Sequence, residues 1–292
     1  MMVPNTPSIA VIGFGEAGSA LCTGWKRTGI RSFDTKQNAA DTAAAKIEQM
    51  HKLAVIEAAS GRDAALGADL IFSTVTADQA LDAASAAADG IKAGAYFFDL
   101  NSCAPSTKQK SAALISAAGG RYVDVAVMAT ITPLYHQTAM LVCGDHAEAA
   151  ISIMHDLDMK PTLVAGPVGR ASTIKMIRSV LVKGIEALTA ECFSAATKAG
   201  VVDEVAASLD ASQTRMGWKD QAHYNAERMT THGIRRAAEM REVMRTLDDL
   251  GIDSAMTNGT ITWQDQLGRL GLSLDDVDNL ESRMAAIEAA RV

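Results

Sequence analysis

The stretch "IAVIGFGEAGSAL", Ile9 to Leu21, decides the fold of this chain. An apolar run leads into three glycines, Gly13, Gly15 and Gly18, and an alanine-rich run with helical character follows. In a strand–turn–helix unit each glycine has its own task. Gly13 permits the tight turn, Gly15 lets backbone approach a pyrophosphate, and Gly18 lets helix and strand pack closely. The free N–H groups that open the helix then face the anion. Phe14, Glu16 and Ala17 complete this expected dinucleotide cradle.

The next apolar segment, "IRSFD", ends in Asp34, 21 residues after Gly13. A carboxylate at that place binds a ribose 2′-hydroxyl and repels a 2′-phosphate, which favours NAD. Lys36 nearby leaves NADP open. The competing reading is a structural turn followed by a solvated aspartate at a strand end. Against it stands the whole order of strand, glycines, helix, strand and acid.

Further along, "LAVI", "DLIFSTV", "AYFFDL", "RYVDVAV", "AMLVCG" and "TLVAG" read as strands. Helical stretches such as 38–50, 78–88 and 105–118 separate the early ones. This alternation predicts an α/β domain whose parallel, doubly wound sheet is covered on both faces. After Gly169 the strand signals stop. Residues 171–200 lack proline and read as one long helix of about eight turns. Proline and glycine cluster at 165–169, so the expected domains are 1–165 (dinucleotide-binding) and 166–292 (all-α), joined by that helix.

Composition excludes several classes. The net charge is −7 with the two signs interspersed, which disfavours nucleic acid. No apolar run reaches the ~18 residues of a membrane span. The opening "MMVPNTPS" has neither a basic nor an apolar leader segment. Cys22, Cys103, Cys143 and Cys192 are scattered, as expected of reduced thiols in cytoplasm rather than a disulfide frame or metal site. Cys22 reads as a small buried apolar residue, and no base is evident near Cys103.

Beyond the glycine motif, three segments resemble the β-hydroxyacid dehydrogenase group, which includes 3-hydroxyisobutyrate and 6-phosphogluconate dehydrogenases. "ADLIFSTVTADQA" matches its fourth-strand segment, with Thr74, Val75 and Thr76 where the family has Met-Leu-Pro against the cofactor. "DLNSCAP" resembles its D-x-S-T-x-x-P substrate loop, with Asn101 and Ser102 at the serine and threonine places. "GRASTIKMIRS" resembles its interdomain helix, with Lys175 at the lysine. Met128, Ala129 and Thr130 replace Ser-Gly-Gly, and Ser179 replaces an asparagine. A second register aligns "KGIE", 183–186, with an "NGIE" motif and would leave no catalytic amine; the spacing from Gly169 to Lys175 favours the first. The run "THGIRRAAEMREVMRTLDDLG" resembles a phosphogluconate-dehydrogenase-like branch.

The resemblance implies a Rossmann domain and an NAD(P)-dependent dehydrogenase acting on a small hydroxyacid or sugar acid, with homodimers or larger homo-oligomers; from the scattered cysteines no metal is expected. It implies Lys175 as general acid/base with Ser102 and Asn101 beside it, and Thr130, Arg178 and Ser179 around the substrate. Lysine serves as a base only when its amine is neutral, which burial or a neighbouring cation promotes. Arg178, one helical turn on, could depress Lys175 or grip a carboxylate. The alternatives are a surface lysine at 175, a helix cap at Ser102, a dinucleotide sensor without catalysis, and imine reduction, whose enzymes tend to lack the lysine. His232, Arg235 and Arg236 read as a polar cluster of the helical half.

Overall fold

The computed structural model describes residues 6–212, 216–272, 274 and 277–291. Met1–Asn5, the start of the opening stretch read above, lie outside the described residues. The chain divides into two compact units, Met1–Val180 and Leu181–Val292.

The first unit runs β1 (Ile9–Ile12), α1 (Glu16–Trp25), β2 (Arg31–Phe33), α2 (Ala43–Lys52), β3 (Ile56–Glu57), α3 (Gly61–Ala65), β4 (Leu70–Ser73) and α4 (Ala80–Ala88). It continues with β5 (Tyr96–Asp99), α5 (Pro105–Ala117), β6 (Arg121–Val127), β7 (Ala139–Cys143), α6 (Ala147–Asp156) and β8 (Lys160–Leu163), and ends in the first turns of α7 (Arg170–Ala199). The strands form one sheet in the order β3-β2-β1-β4-β5-β6-β7-β8. This is the doubly wound arrangement, with its switch point between β1 and β4.

Alternation within the strands explains the burial of both faces. Ile9 and Val11 of β1 join Phe72 and Phe98 on one side, against Leu21 and Trp25 of α1. Ala10 and Ile12 join Ile71 and Phe97 on the other, against Ala83, Ala84 and Ala87 of α4. Small alanines on that helix face let it lie close to the sheet.

The sheet is parallel-dominated, as expected, with one exception: β7 runs antiparallel to β6, pairing Asp124 with Cys143 through Val127 with Met140. The connection, residues 128–138, carries only a single short helical turn at Tyr135–Gln137. A parallel return needs a crossover of about a dozen residues or more, usually a helix. The strand read at "LAVI" shrinks to Ile56–Glu57, because Leu53 still closes α2.

The second unit is wholly helical among its described residues: the rest of α7, then α8 (Val202–Ser212), α9 (Trp218–Asp249), α10 (Ala255–Arg269) and α11 (Leu280–Ala290). The α9 and α10 backbones touch where Gly233 meets Gln264 and Gly268. Glu191 of α7 accepts both backbone N–H groups of Met256 and Thr257 and so caps α10. Residues 171–200, read as one helix, lie in α7 apart from the final glycine. Among the described residues no helix is long and apolar enough to cross a membrane.

Candidate functional site

The glycine turn sits at the C-terminal end of β1. Gly13 has φ +92°, and its N–H donates to the Phe33 carbonyl at 2.8 Å, tying the turn to β2. A side chain there would meet the Thr74 carbonyl oxygen at 2.6 Å, so only glycine fits. Gly18 lies still closer: an added Cβ would be 2.1 Å from the Gly13 carbonyl oxygen. Gly15 is different, because a Cβ there would meet nothing within 4 Å. It caps α1 and faces open space. Glu16 is exposed and Ala17 half-buried in the first turn of that helix.

Asp34 organises the turn. Its carboxylate accepts the Phe14 N–H at 2.7 Å and the Lys36 N–H at 2.9 Å. The Phe14 ring is fully buried in the core, so Phe14 meets the site through backbone alone. The Thr74 hydroxyl donates to the Gly13 carbonyl at 2.6 Å. Lys46, which sequence reading missed, donates to the Phe14 carbonyl at 2.6 Å and adds a positive charge beside the turn. The turn borders a cavity of about 400 Å³ whose walls include Gly13, Gly15, Asp34, Thr74, Val75 and Thr76. The cavity lies at the switch point, where ligands of open α/β sheets bind. A concave glycine turn opening a helix N-terminus, with an acid at the second strand's end, fits a dinucleotide.

A second cluster forms where β5, β6 and α7 meet. The Lys175 ammonium donates to the Ser102 hydroxyl at 2.6 Å, joining two residues 73 apart in the chain. Asn101, beside Ser102, is 3% exposed. Its side-chain carbonyl accepts the Val75 N–H at 2.7 Å, and its amide donates to the Ser73 hydroxyl at 2.9 Å. Asn101 therefore ties the substrate-loop candidate to the cavity wall and does not present its side chain outward. Thr130 is exposed after β6. Arg178 reaches the Met128 carbonyl at 3.4 Å. The Ser179 hydroxyl bonds back to the Lys175 carbonyl at 2.9 Å, one turn earlier in the helix.

Beneath this pair lies a charge network that sequence reading also missed. Lys108, fully buried, donates to the Asp99 carboxylate at 2.9 Å and carbonyl at 2.6 Å, and lies 3.4 Å from the Asp124 carboxylate. Burial alone would lower the Lys108 pKa, but Asp99 and Asp124 outweigh it and hold the amine above its usual range. Burial, reinforced by Asp99, raises the Tyr122 phenol, which donates to Asp99 at 2.7 Å. No periodicity announces such a lysine.

The thiols are free. Burial pushes Cys22 up to about 12 and Cys143 up to about 11, and raises Cys103 as well. None of these three is a ready nucleophile. His232 and Arg235 are exposed, the latter paired with Glu239 along α9, and Arg236 is half-buried. Among the described residues no group of three or more His, Cys, Asp or Glu is placed to hold a metal.

Fold and cavity together define a Rossmann-type dinucleotide-binding protein. Residues 8–155 match the NAD binding domain of 6-phosphogluconate dehydrogenase, and the chain belongs to that family of NAD-binding proteins. Residues 196–267 match a domain of unknown function, DUF1932. A conserved hypothetical protein from Sinorhizobium meliloti 1021 is 30% identical, with 98% of this chain and 97% of that one covered and a TM-score of 0.59. A conserved protein of unknown function, described as structurally similar to 3-hydroxyacid dehydrogenases, is 26% identical over 91% of this chain and all of its own, with a TM-score of 0.57. An imine reductase from Myxococcus stipitatus, solved with NADP+, has a TM-score of 0.71 at 18% identity, covering 91% and 95% of the two chains. A variant of that enzyme is solved with NAD+. At that identity the likeness is one of fold.

Proposed function

We propose that the chain is an NAD(P)-dependent oxidoreductase acting on the CH–OH group of a small hydroxyacid or sugar acid. The observation that carries this reading is the 2.6 Å contact between Lys175 and Ser102, one residue from the Asn101 side chain that grips Val75 on the cavity wall. The nicotinamide of a bound cofactor supplies the hydride chemistry. The protein's part is to position the substrate and handle its hydroxyl proton.

In this reading the α1 N-terminus and the Gly15 backbone hold the pyrophosphate, and Asp34 takes the ribose hydroxyls. Thr74, Val75 and Thr76 line the cofactor through their backbone. Lys175, as the neutral amine, accepts the hydroxyl proton, and Ser102 orients that amine because a hydroxyl both donates and accepts. Arg178 keeps N–H groups beyond the one on Met128 for a substrate carboxylate, with Thr130 alongside. Asn101 positions rather than reacts. The Ser179 hydroxyl is engaged by its own helix, so its contribution is to the shape of that turn. In the same reading residues 1–165 are the cofactor domain and 166–292, which begin just before Lys175, the substrate and dimerisation domain. A screen of hydroxyacids and sugar acids with NAD and NADP, followed by absorbance of the reduced nicotinamide, tests the reading; no turnover across the panel would leave a binding protein without catalysis.

Asp34→Ala is expected to weaken NAD by about tenfold or more, since a hydrogen bond to a charged group contributes about 1.5–3 kcal/mol. NADP should weaken less, because the same change relieves repulsion of the 2′-phosphate. Titration calorimetry with both cofactors measures the two effects. A wild-type chain that binds NADP tenfold more tightly than NAD would refute this role for the carboxylate.

Homodimerisation belongs to the same reading. Ile177, Val180 and Leu181 form an i, i+3, i+4 apolar stripe on α7, exposed by 68%, 77% and 49%. An apolar helix stripe of this kind favours association with a second copy. Replacing Ile177 and Val180 together by glutamate is expected to shift the protein to monomers in light scattering, with helicity retained. A wild-type chain that is monomeric at micromolar concentration would rule the dimer out.

A further inference from the structure

We propose that Lys108 is a positioning residue for the Ser102–Lys175 pair, acting through the two buried carboxylates that its ammonium bridges. The inference rests on the reading of that pair as the proton-handling site.

Lys108, Asp99 and Asp124 have side chains with no solvent exposure. Asp99 accepts the Asn101 N–H at 2.9 Å and so fixes the residue that precedes Ser102. Asp124 accepts the Gly169 N–H at 2.9 Å and the Ser172 hydroxyl at 2.8 Å, with the Ser172 N–H at 3.4 Å. It thereby anchors the first turn of α7, and Lys175 follows Ser172 by three residues, on a neighbouring face. The two segments that carry the 2.6 Å contact thus hang on two carboxylates that share one cation. Asn101 extends the same frame to the buried Ser73 and to Val75 on the cavity wall.

Buried ion pairs are an expensive way to hold a core, because desolvation offsets much of their attraction. Apolar side chains of equal volume would pack α5 against the sheet at least as well. What they could not do is fix two backbone segments in register through directional acceptors. Without the Lys108 ammonium, the Asp99 and Asp124 carboxylates repel one another across the gap it filled. A displaced Asp124 loosens the start of α7, and a displaced Asp99 releases the Asn101 N–H. Either change separates Ser102 from Lys175.

The test is competitive acylation of amines by trace acetic anhydride on the full-length protein, with the Lys175 peptide quantified by mass spectrometry. The exposed Lys52 serves as internal reference. In Lys108→Met, Lys175 is expected to react about tenfold faster relative to Lys52, because an amine released from its hydrogen bond to Ser102 is open to the reagent and a hydrogen bond to a charged group is worth about that factor. In Lys108→Arg, which keeps the cation, its rate should stay within about twofold of wild type, well inside that tenfold scale. NAD titration verifies that each variant is folded. An unchanged Lys175 rate in a folded Lys108→Met protein overturns the proposal. If that variant fails to fold, Asp99→Asn combined with Lys108→Met removes charge from both partners and serves the same comparison. Failure of both Lys108→Met proteins to fold, with and without Asp99→Asn, beside a normal Lys108→Arg, assigns Lys108 to stability and also overturns it. Labelling reads the surroundings of the amine whether or not a substrate turns over. A silent Lys175→Ala would therefore sink the enzymatic reading and leave this result standing.

Discussion

Lys175→Ala is expected to lower kcat by about two to four orders of magnitude, the contribution of a positioned general acid or base. That corresponds to about 3–5 kcal/mol of barrier. Affinity for NAD should stay within about twofold, far below the tenfold that 1.4 kcal/mol of binding represents, because the cavity walls at Gly13, Gly15 and Asp34 lie just after β1, just before α1 and just after β2 rather than on α7. The separation of the two effects is what matters. A mutation that removes uniform binding raises KM with kcat unchanged, whereas loss of a group needed only in the transition state lowers kcat. Steady-state kinetics on whichever hydroxyacid the panel identifies, with NAD affinity measured alongside, checks both. Lys175→Met is the companion variant, since it keeps the apolar stem and removes only the amine. If kcat is unchanged in both, the contact with Ser102 is a structural bond.

Where strands and helices fall was legible because the signals are local. Ile9–Ile12 is a continuous apolar run bounded by glycine, and a strand buried on both faces requires that pattern. The thirty-residue α7 reads as a helix because nothing in it breaks one. Gly13, Gly15, Gly18 and Asp34 were legible for a related reason: all four sit in one βαβ unit, where chain order and spatial order coincide. The rest depends on contacts between distant segments. Lys108 lies in a polar helical stretch, "PSTKQKSAAL", and looks like any solvated lysine. Only Asp99, nine residues before it, and Asp124, sixteen after it, make it a buried cation. Asn101 shows the same limit from the other side. Its type and position suit a substrate contact, but a residue at a strand end can turn inward, and this one does, towards Ser73 and Val75. The antiparallel β7 was hidden too, because a strand's direction is set by what connects it to its neighbour and not by its own side chains.

Gly15→Ala and Gly18→Ala, substitutions in one motif, are both expected to weaken NAD but to move stability in opposite directions. At Gly18 the new methyl would lie 2.1 Å from the Gly13 carbonyl oxygen, 2.9 Å from the Thr74 hydroxyl and 3.1 Å from a Val11 methyl. Helix α1 must then move off β1. Alanine gains about 1 kcal/mol of helix propensity over glycine, but overpacking typically costs about 1–3 kcal/mol and more where backbone must shift. Gly18→Ala should therefore lower Tm by several degrees and lose NAD with it, since the Gly13 turn is what moves. At Gly15 the methyl meets nothing, and φ −80° suits any L-residue. Gly15→Ala should hold or raise Tm by reducing the freedom of the unfolded chain. Its methyl nonetheless occupies space that a pyrophosphate needs against the α1 N-terminus, so NAD affinity should fall by about tenfold or more. Calorimetric melting and NAD titration on the two variants give four numbers. A Gly15→Ala protein that binds NAD as well as wild type would place the pyrophosphate elsewhere, and the open face of this turn would need another explanation.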